Sequence, residues 1–213
     1  MDISNIKKEF PIFKQKINGK PLVYLDSANS SQKPKIVIDK ISSFYKTEYS
    51  NVGRSVHTLA VKATNRFEAT RDKIQKYLNA KHREEIIFTK GATEAINLVA
   101  SSYGKKYIEK GDEVLITELE HHSNYVPWNY LRTDKGAVIK FAQVNKNGDV
   151  EIEEIKKLIT NKTKIIAITH ISNVTGAILP ITKIVDLAKE KNIPVLIDGT
   201  QGAPHSKIDM QKI

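Results

Sequence analysis

The sequence contains no cysteine, and that absence removes three chemistries at once: disulfide stapling, thiolate metal sites and thiol nucleophiles within these 213 residues. Arginine is scarce, with five residues against twenty-nine lysines. Its rigid fork is the side chain best suited to bidentate contact with bases and phosphates. The net charge of +10 is instead carried by dispersed lysines with acids between them. With no recognition motif beside it, that charge points away from nucleic acid. No apolar run approaches the roughly 20 residues needed to cross a bilayer. The opening segment MDISNIKKEF mixes acids and bases and lacks the apolar stretch of a secretory signal, so the expectation is a cytoplasmic protein with no membrane partner. Repeats and low-complexity linkers are also missing. What remains, 40% hydrophobic and 27% charged residues, is the composition of an ordinary globular chain.

Apolar spacing in Pro34–Tyr49 (Ile36, Val37, Ile41, Phe44, Tyr45) predicts a helix started by proline. Leu59–Asn79 predicts another, with Ala63, Phe67, Ile74 and Leu78 as its buried stripe. From Glu85 onward short apolar runs alternate with helical spacing. Ile86–Phe88, Glu113–Ile116, Val138–Ala142, Lys164–Thr169 and Pro194–Ile197 are expected strands. Thr93–Tyr107, Asn124–Thr133, Glu151–Ile159 and Ile181–Lys191 are the helices between them. Such alternation implies an α/β fold, a mostly parallel sheet with helices on both faces. Ligands of these sheets gather at the carboxyl ends of the strands.

Three strand ends carry unusual polar chemistry. Phe88-Thr89-Lys90-Gly91-Ala92-Thr93-Glu94 reads as a strand, a glycine turn and a helix start. The free N–H groups there, with the Thr93 hydroxyl, make a phosphate cradle, unless Thr93 merely caps its helix. Glu120-His121-His122-Ser123-Asn124 follows the strand Glu113–Ile116. Neighbouring side chains on extended backbone diverge, which argues against a paired-histidine metal site. One histidine entering a pocket, to stack on a planar ring or move protons, competes with both being structural. Val195-Leu196-Ile197-Asp198-Gly199-Thr200-Gln201 ends an apolar strand in a carboxylate. A shielded charge of this kind needs a partner, and a protonated pyridine nitrogen would serve. The other reading is an aspartate capping the following loop. Together the three stations fit pyridoxal phosphate better than any other common cofactor.

The ordered motifs Tyr24-Leu25-Asp26-Ser27-Ala28, Gln32-Lys33-Pro34, Arg54-Ser55-Val56-His57-Thr58, Gly91–Leu98, Glu120–Asn124, Val126-Pro127-Trp128, Ser172–Gly176 and Asp198–Gln201 run the length of the chain. They resemble SufS-type cysteine desulfurases of the class V aminotransferase group. The resemblance implies the large domain of a fold-type I pyridoxal-phosphate transferase over residues 21–213. Residues 1–20 would be an N-terminal arm belonging to the small domain. It implies that Ala92 and Thr93 hold the cofactor phosphate, that His121 stacks on the ring and carries protons, and that Asp198 pairs with the ring nitrogen. Gln201 would bond the phenolic oxygen, Asn173 would touch cofactor or substrate, and Arg54 would stand at the pocket mouth. In the family a lysine forms the Schiff base with the cofactor, and a cysteine takes sulfur from L-cysteine as a persulfide, leaving alanine. The family's partners are a second copy of the chain and a sulfur-acceptor protein of iron–sulfur cluster assembly.

The chain also departs from the pattern. The family's lysine lies in a Ser-Gly-His-Lys motif beyond the aspartate, and no lysine here, Lys207 and Lys212 included, sits in one. The persulfide cysteine and the arginine that clamps the substrate carboxylate come later still. Gly53 stands where relatives carry a histidine, and Ala92 where a threonine is common. The strand Ile86–Phe88 would take its sheet neighbours from the second half of the large domain. The expectation is therefore a chain that stops short of the family's chemistry, folds poorly alone and has no desulfurase activity. The competing readings are a selenocysteine lyase or other class V relative, and a non-catalytic remnant that binds a full-length homologue.

Overall fold

The computed structural model describes residues 2–213, which form two compact units, residues 2–74 and 75–213. The first contains α1 (Ile3–Lys8), a two-residue hairpin of β1 (Lys16–Ile17) and β2 (Lys20–Pro21), α2 (Lys35–Thr47) and the start of α3 (Thr58–Leu78). Asp2 begins α1 by accepting the Ser4 N–H at 2.9 Å. Pro34 precedes α2, fixing the chain in the extended geometry that a helix entry requires. The expected stripe on α3 is only partly right. Ala60 and Ala63 are its buried residues, while Ile74 and Leu78 are half-buried and Phe67 lies open to solvent.

The second unit is built on a four-stranded parallel sheet of β3 (Glu113–Thr117), β4 (Val138–Ala142), β5 (Thr163–Thr169) and β6 (Val195–Asp198). Its spatial order is β4-β3-β5-β6. Consecutive side chains alternate between faces, and two cores result. On one face Val114, Ile116, Ile165 and Ala167 pack with Ile96, Ala100, Trp128 and Leu131. These come from α4 (Ala92–Val99), its continuation through a wide turn at Ala100–Gly104 into α5 (Lys105–Tyr107), and α6 (Val126–Lys135). On the other face Leu115, Ile166 and Ile168 pack with Ile155, Ile181, Ile184 and Ala188 from α7 (Ile152–Leu158) and α8 (Ile181–Lys189). A short α9 (Gly202–His205) follows β6.

Four of the five expected strands form within a residue or two of their expected ends. Ile86–Phe88 does not. It is extended but joins no ladder among the described residues, and Ile87 and Phe88 are exposed. Extended backbone becomes a strand only when another strand satisfies its N–H and C=O groups.

Candidate active site

The three polar stations lie along one rim, joined by the Thr93–Ser123 and Glu120–Thr169 hydrogen bonds. At the first, Gly91 is the N-cap of α4, and its side-chain-free position has no atom within 4 Å of where a Cβ would stand. Thr93 is therefore not the cap. Its Oγ1 lies 2.7 Å from Ser123 Oγ. The Glu94 carboxylate accepts the Lys90 N–H at 2.6 Å, closing the turn behind the helix start. The α4 N-terminus thus presents a hydroxyl and unpaired backbone donors to open space, a geometry suited to an anion.

At the second, β3 ends at Thr117 and residues 118–124 fold over the rim. The two histidines part, with ring centroids 6.0 Å apart and planes at 79°. His122 lines a cavity of about 470 Å³ with Thr117, Glu118, Glu120, Tyr125 and Phe141. His121 is exposed, and its Nδ1 accepts the Ser123 N–H at 3.1 Å with Ser123 Oγ at 3.0 Å. A backbone N–H only donates, so the neutral His121 ring carries its proton on Nε2. Ser123 Oγ thereby stands between the Thr93 hydroxyl and the His121 ring.

The third station is Asp198, paired across β5–β6 with Thr169 and buried at 7% exposure. One oxygen caps the loop by accepting the Thr200 N–H at 3.0 Å. No cation pairs with the carboxylate among the described residues. Glu120, which the sequence reading passed over, lies close by. Its carboxylate accepts from Thr117 Oγ1 at 2.6 Å, Asn124 Nδ2 at 2.6 Å and the Thr169 N–H at 3.0 Å. Burial holds its carboxyl above the ordinary carboxylate range, the three hydrogen bonds oppose that, and the Asp198 charge adds to it. A buried Asp198 carboxylate beside the half-buried Glu120, with no counter-ion among the described residues, makes a place where a cationic ring nitrogen would be stabilised, so the residues present fit pyridoxal phosphate.

The remaining residues are placed less centrally. Asn173 is exposed at the tip of the 170–179 loop, which the Ser172 Oγ braces by accepting from Val174 N and Thr175 N at 3.3 Å each. Gln201 is half-buried at the start of α9, and Ala92 is half-buried at the start of α4. Arg54 belongs to the first unit and is exposed there. Beside it Gly53 has φ +118°, a backbone that a histidine at this position would rarely adopt. Ser123 and Glu120 were the residues missed. The one signal for Glu120 was its spacing, three residues after Thr117 and four before Asn124 across a turn.

The parallel sheet covered by helices on both faces, with polar stations gathered at its carboxyl rim, is an α/β fold. Residues 23–213 match the family model described as aminotransferase class-V, and the chain belongs to that family. It is 48% identical over 213 residues to a probable cysteine desulfurase of Halalkalibacterium halodurans, covering 100% of this chain and 52% of that protein. The crystal structure of the cysteine desulfurase CsdA from Escherichia coli superposes with a TM-score of 0.87 at 33% identity, over 100% of this chain and 52% of that one. A C-DES variant with glycine covalently linked to its pyridoxal-phosphate cofactor shares the fold, with a TM-score of 0.82 at 19% identity over 97% of this chain and 52% of that one. The chain spans about half the length of these relatives.

Proposed function

We propose that residues 21–213 are the cofactor-binding half of a pyridoxal-phosphate-dependent cysteine desulfurase, with residues 1–20 as an arm that packs on the small domain. The observation that carries this reading is Asp198. It is a carboxylate buried at the sheet rim without a counter-ion, on the same rim as the Thr93 cradle and the His121 ring. Similarity to cysteine desulfurases along the whole chain supports the same choice.

On this reading Thr93, with the backbone at Ala92, binds the phosphate, and Asp198 holds a proton on the ring nitrogen. When bound, pyridoxal phosphate supplies an electron sink for the substrate's α-carbon. His121 covers the ring face, and its Nε2 is the atom that gives or takes a proton, because Nδ1 is held by Ser123. Gln201 bonds the phenolic oxygen, and Asn173 orients cofactor or substrate. The lysine that attaches the cofactor and the cysteine that receives sulfur are assigned to the length of the relatives that these 213 residues do not span. The substrate is L-cysteine, the product alanine, and the sulfur passes to an acceptor protein of iron–sulfur assembly. A cytoplasmic homodimer is the working form.

The test is turnover by the protein carrying the full length that its relatives span. Release of alanine from L-cysteine is expected, with a fall of at least about a hundredfold in Asp198→Ala. Turnover of selenocysteine with none of cysteine would replace the reading with a selenocysteine lyase.

A further inference from the structure

Glu120 does more than fill its turn. Its carboxylate is held at three points belonging to three parts of the rim. They are Thr117 at the end of β3, Asn124 at the entrance to α6, and the backbone N–H of Thr169 at the end of β5. The bond to Thr169 is the one hydrogen bond joining the 118–124 segment to β5 among the described residues. Thr169 is in turn the register partner of Asp198, and the next residue, His170, donates its N–H to the Asp198 carbonyl at 2.9 Å. His121 is covalently next to Glu120. A continuous path therefore runs from the His121 backbone through the Glu120 carboxylate to the rung that carries Asp198. Asn124 extends the anchorage, since its Oδ1 accepts from the fully buried Trp128 Nε1 at 3.0 Å.

We infer that Glu120 is a positioning residue, whose carboxylate sets the spacing between the His121 ring and the Asp198 carboxylate and so the slot that receives the cofactor ring. The inference rests on the reading of the rim as a pyridoxal-phosphate site. The physical reason is that a carboxylate accepting charge-assisted bonds from a strand end, a neighbouring strand and a helix entrance fixes all three at hydrogen-bond distance. A glutamine of the same size cannot accept at all three points, because its amide nitrogen only donates.

The test uses two probes on the full chain and on Glu120→Gln. Inorganic phosphate reports the cradle at Thr93 alone. Pyridoxamine 5′-phosphate, which needs no lysine attachment, reports cradle and slot together. In Glu120→Gln phosphate affinity is expected to be unchanged, followed through the Thr93 amide resonance. Pyridoxamine 5′-phosphate is expected to bind about tenfold more weakly, from the loss of charge-assisted bonds. The induced circular dichroism of the bound ring should collapse, because that signal depends on a fixed ring orientation. Thr117→Val, which keeps the side-chain shape and removes the Oγ1 that donates to Glu120 and accepts the Leu119 N–H, should move the same two readouts in the same direction by a smaller factor, and carries the test if Glu120→Gln does not fold. Unchanged affinity and unchanged induced dichroism in the folded variants would overturn the inference. Phosphate binding by the parent without any binding of pyridoxamine 5′-phosphate would overturn the site reading, and the inference with it.

Discussion

Glu113 and Glu120 bracket β3, and their surroundings push them in opposite directions. Burial raises Glu113, but hydrogen bonds from Thr160 at 2.6 Å, from Lys140 at 2.9 Å and from Thr163 at 3.1 Å outweigh it, so its carboxyl lies below the ordinary range. A depressed folded value contributes stability above the unfolded value of about 4.3, and that contribution is lost as pH falls through the folded value. Glu113→Gln should therefore cost about 2 kcal/mol near neutrality, with the gap closing in acid. Glu120 has the opposite sign. A raised folded value gives stability that is complete below the unfolded value and is lost as pH rises through the folded one. Glu120→Gln should remove that decline. Urea midpoints of the parent and both variants from acid to neutral pH check the two slopes together. At this scale the sequence singled out Thr93, His121 and Asp198, because each stands in a polar motif that follows a short apolar run. Glu120 and Ser123 stayed hidden, since their partners are supplied by folding: a backbone N–H of another strand, and a hydroxyl 30 residues away.

The elements of the second unit were largely readable, because short apolar runs and helical spacing alternate without interruption. Boundaries are set by local chemistry. Gly136 ends α6 at φ +75°, donating its N–H back to Arg132, and a side chain there strains the left-handed backbone. Gly136→Ala should lower stability by about 1 kcal/mol, read from a denaturant titration. Trp128 anchors the middle of the same helix, with no solvent exposure and its indole N–H on Asn124. Trp128→Ala should cost about 3–5 kcal/mol, measured the same way, and should disturb the 118–124 segment that Asn124 holds. The one strand that sequence pattern alone overstated is Ile86–Phe88. Apolarity specifies an extended segment, whereas a strand also requires a ladder with a second strand, which no local pattern encodes.

At the scale of the whole molecule, the two-sided parallel sheet followed from alternating strand and helix, but the order β4-β3-β5-β6 did not, because adjacency depends on crossovers rather than on local sequence. The α3 stripe was misjudged for a related reason: period locates a helical face, but only packing decides which of its residues are covered. In the proposed site the α4 N-terminus, the 118–124 segment and the end of β6 form one pocket for a phosphate-bearing pyridine ring. Equilibrium titration of the chain with pyridoxamine 5′-phosphate, followed by the fluorescence of the ring, tests it most directly. Saturable binding of one ligand per chain is expected, weakened at least about tenfold by Thr93→Val and by Asp198→Ala separately, each removing a different contact. Binding that ignores both substitutions, or no saturable binding at all, would contradict it.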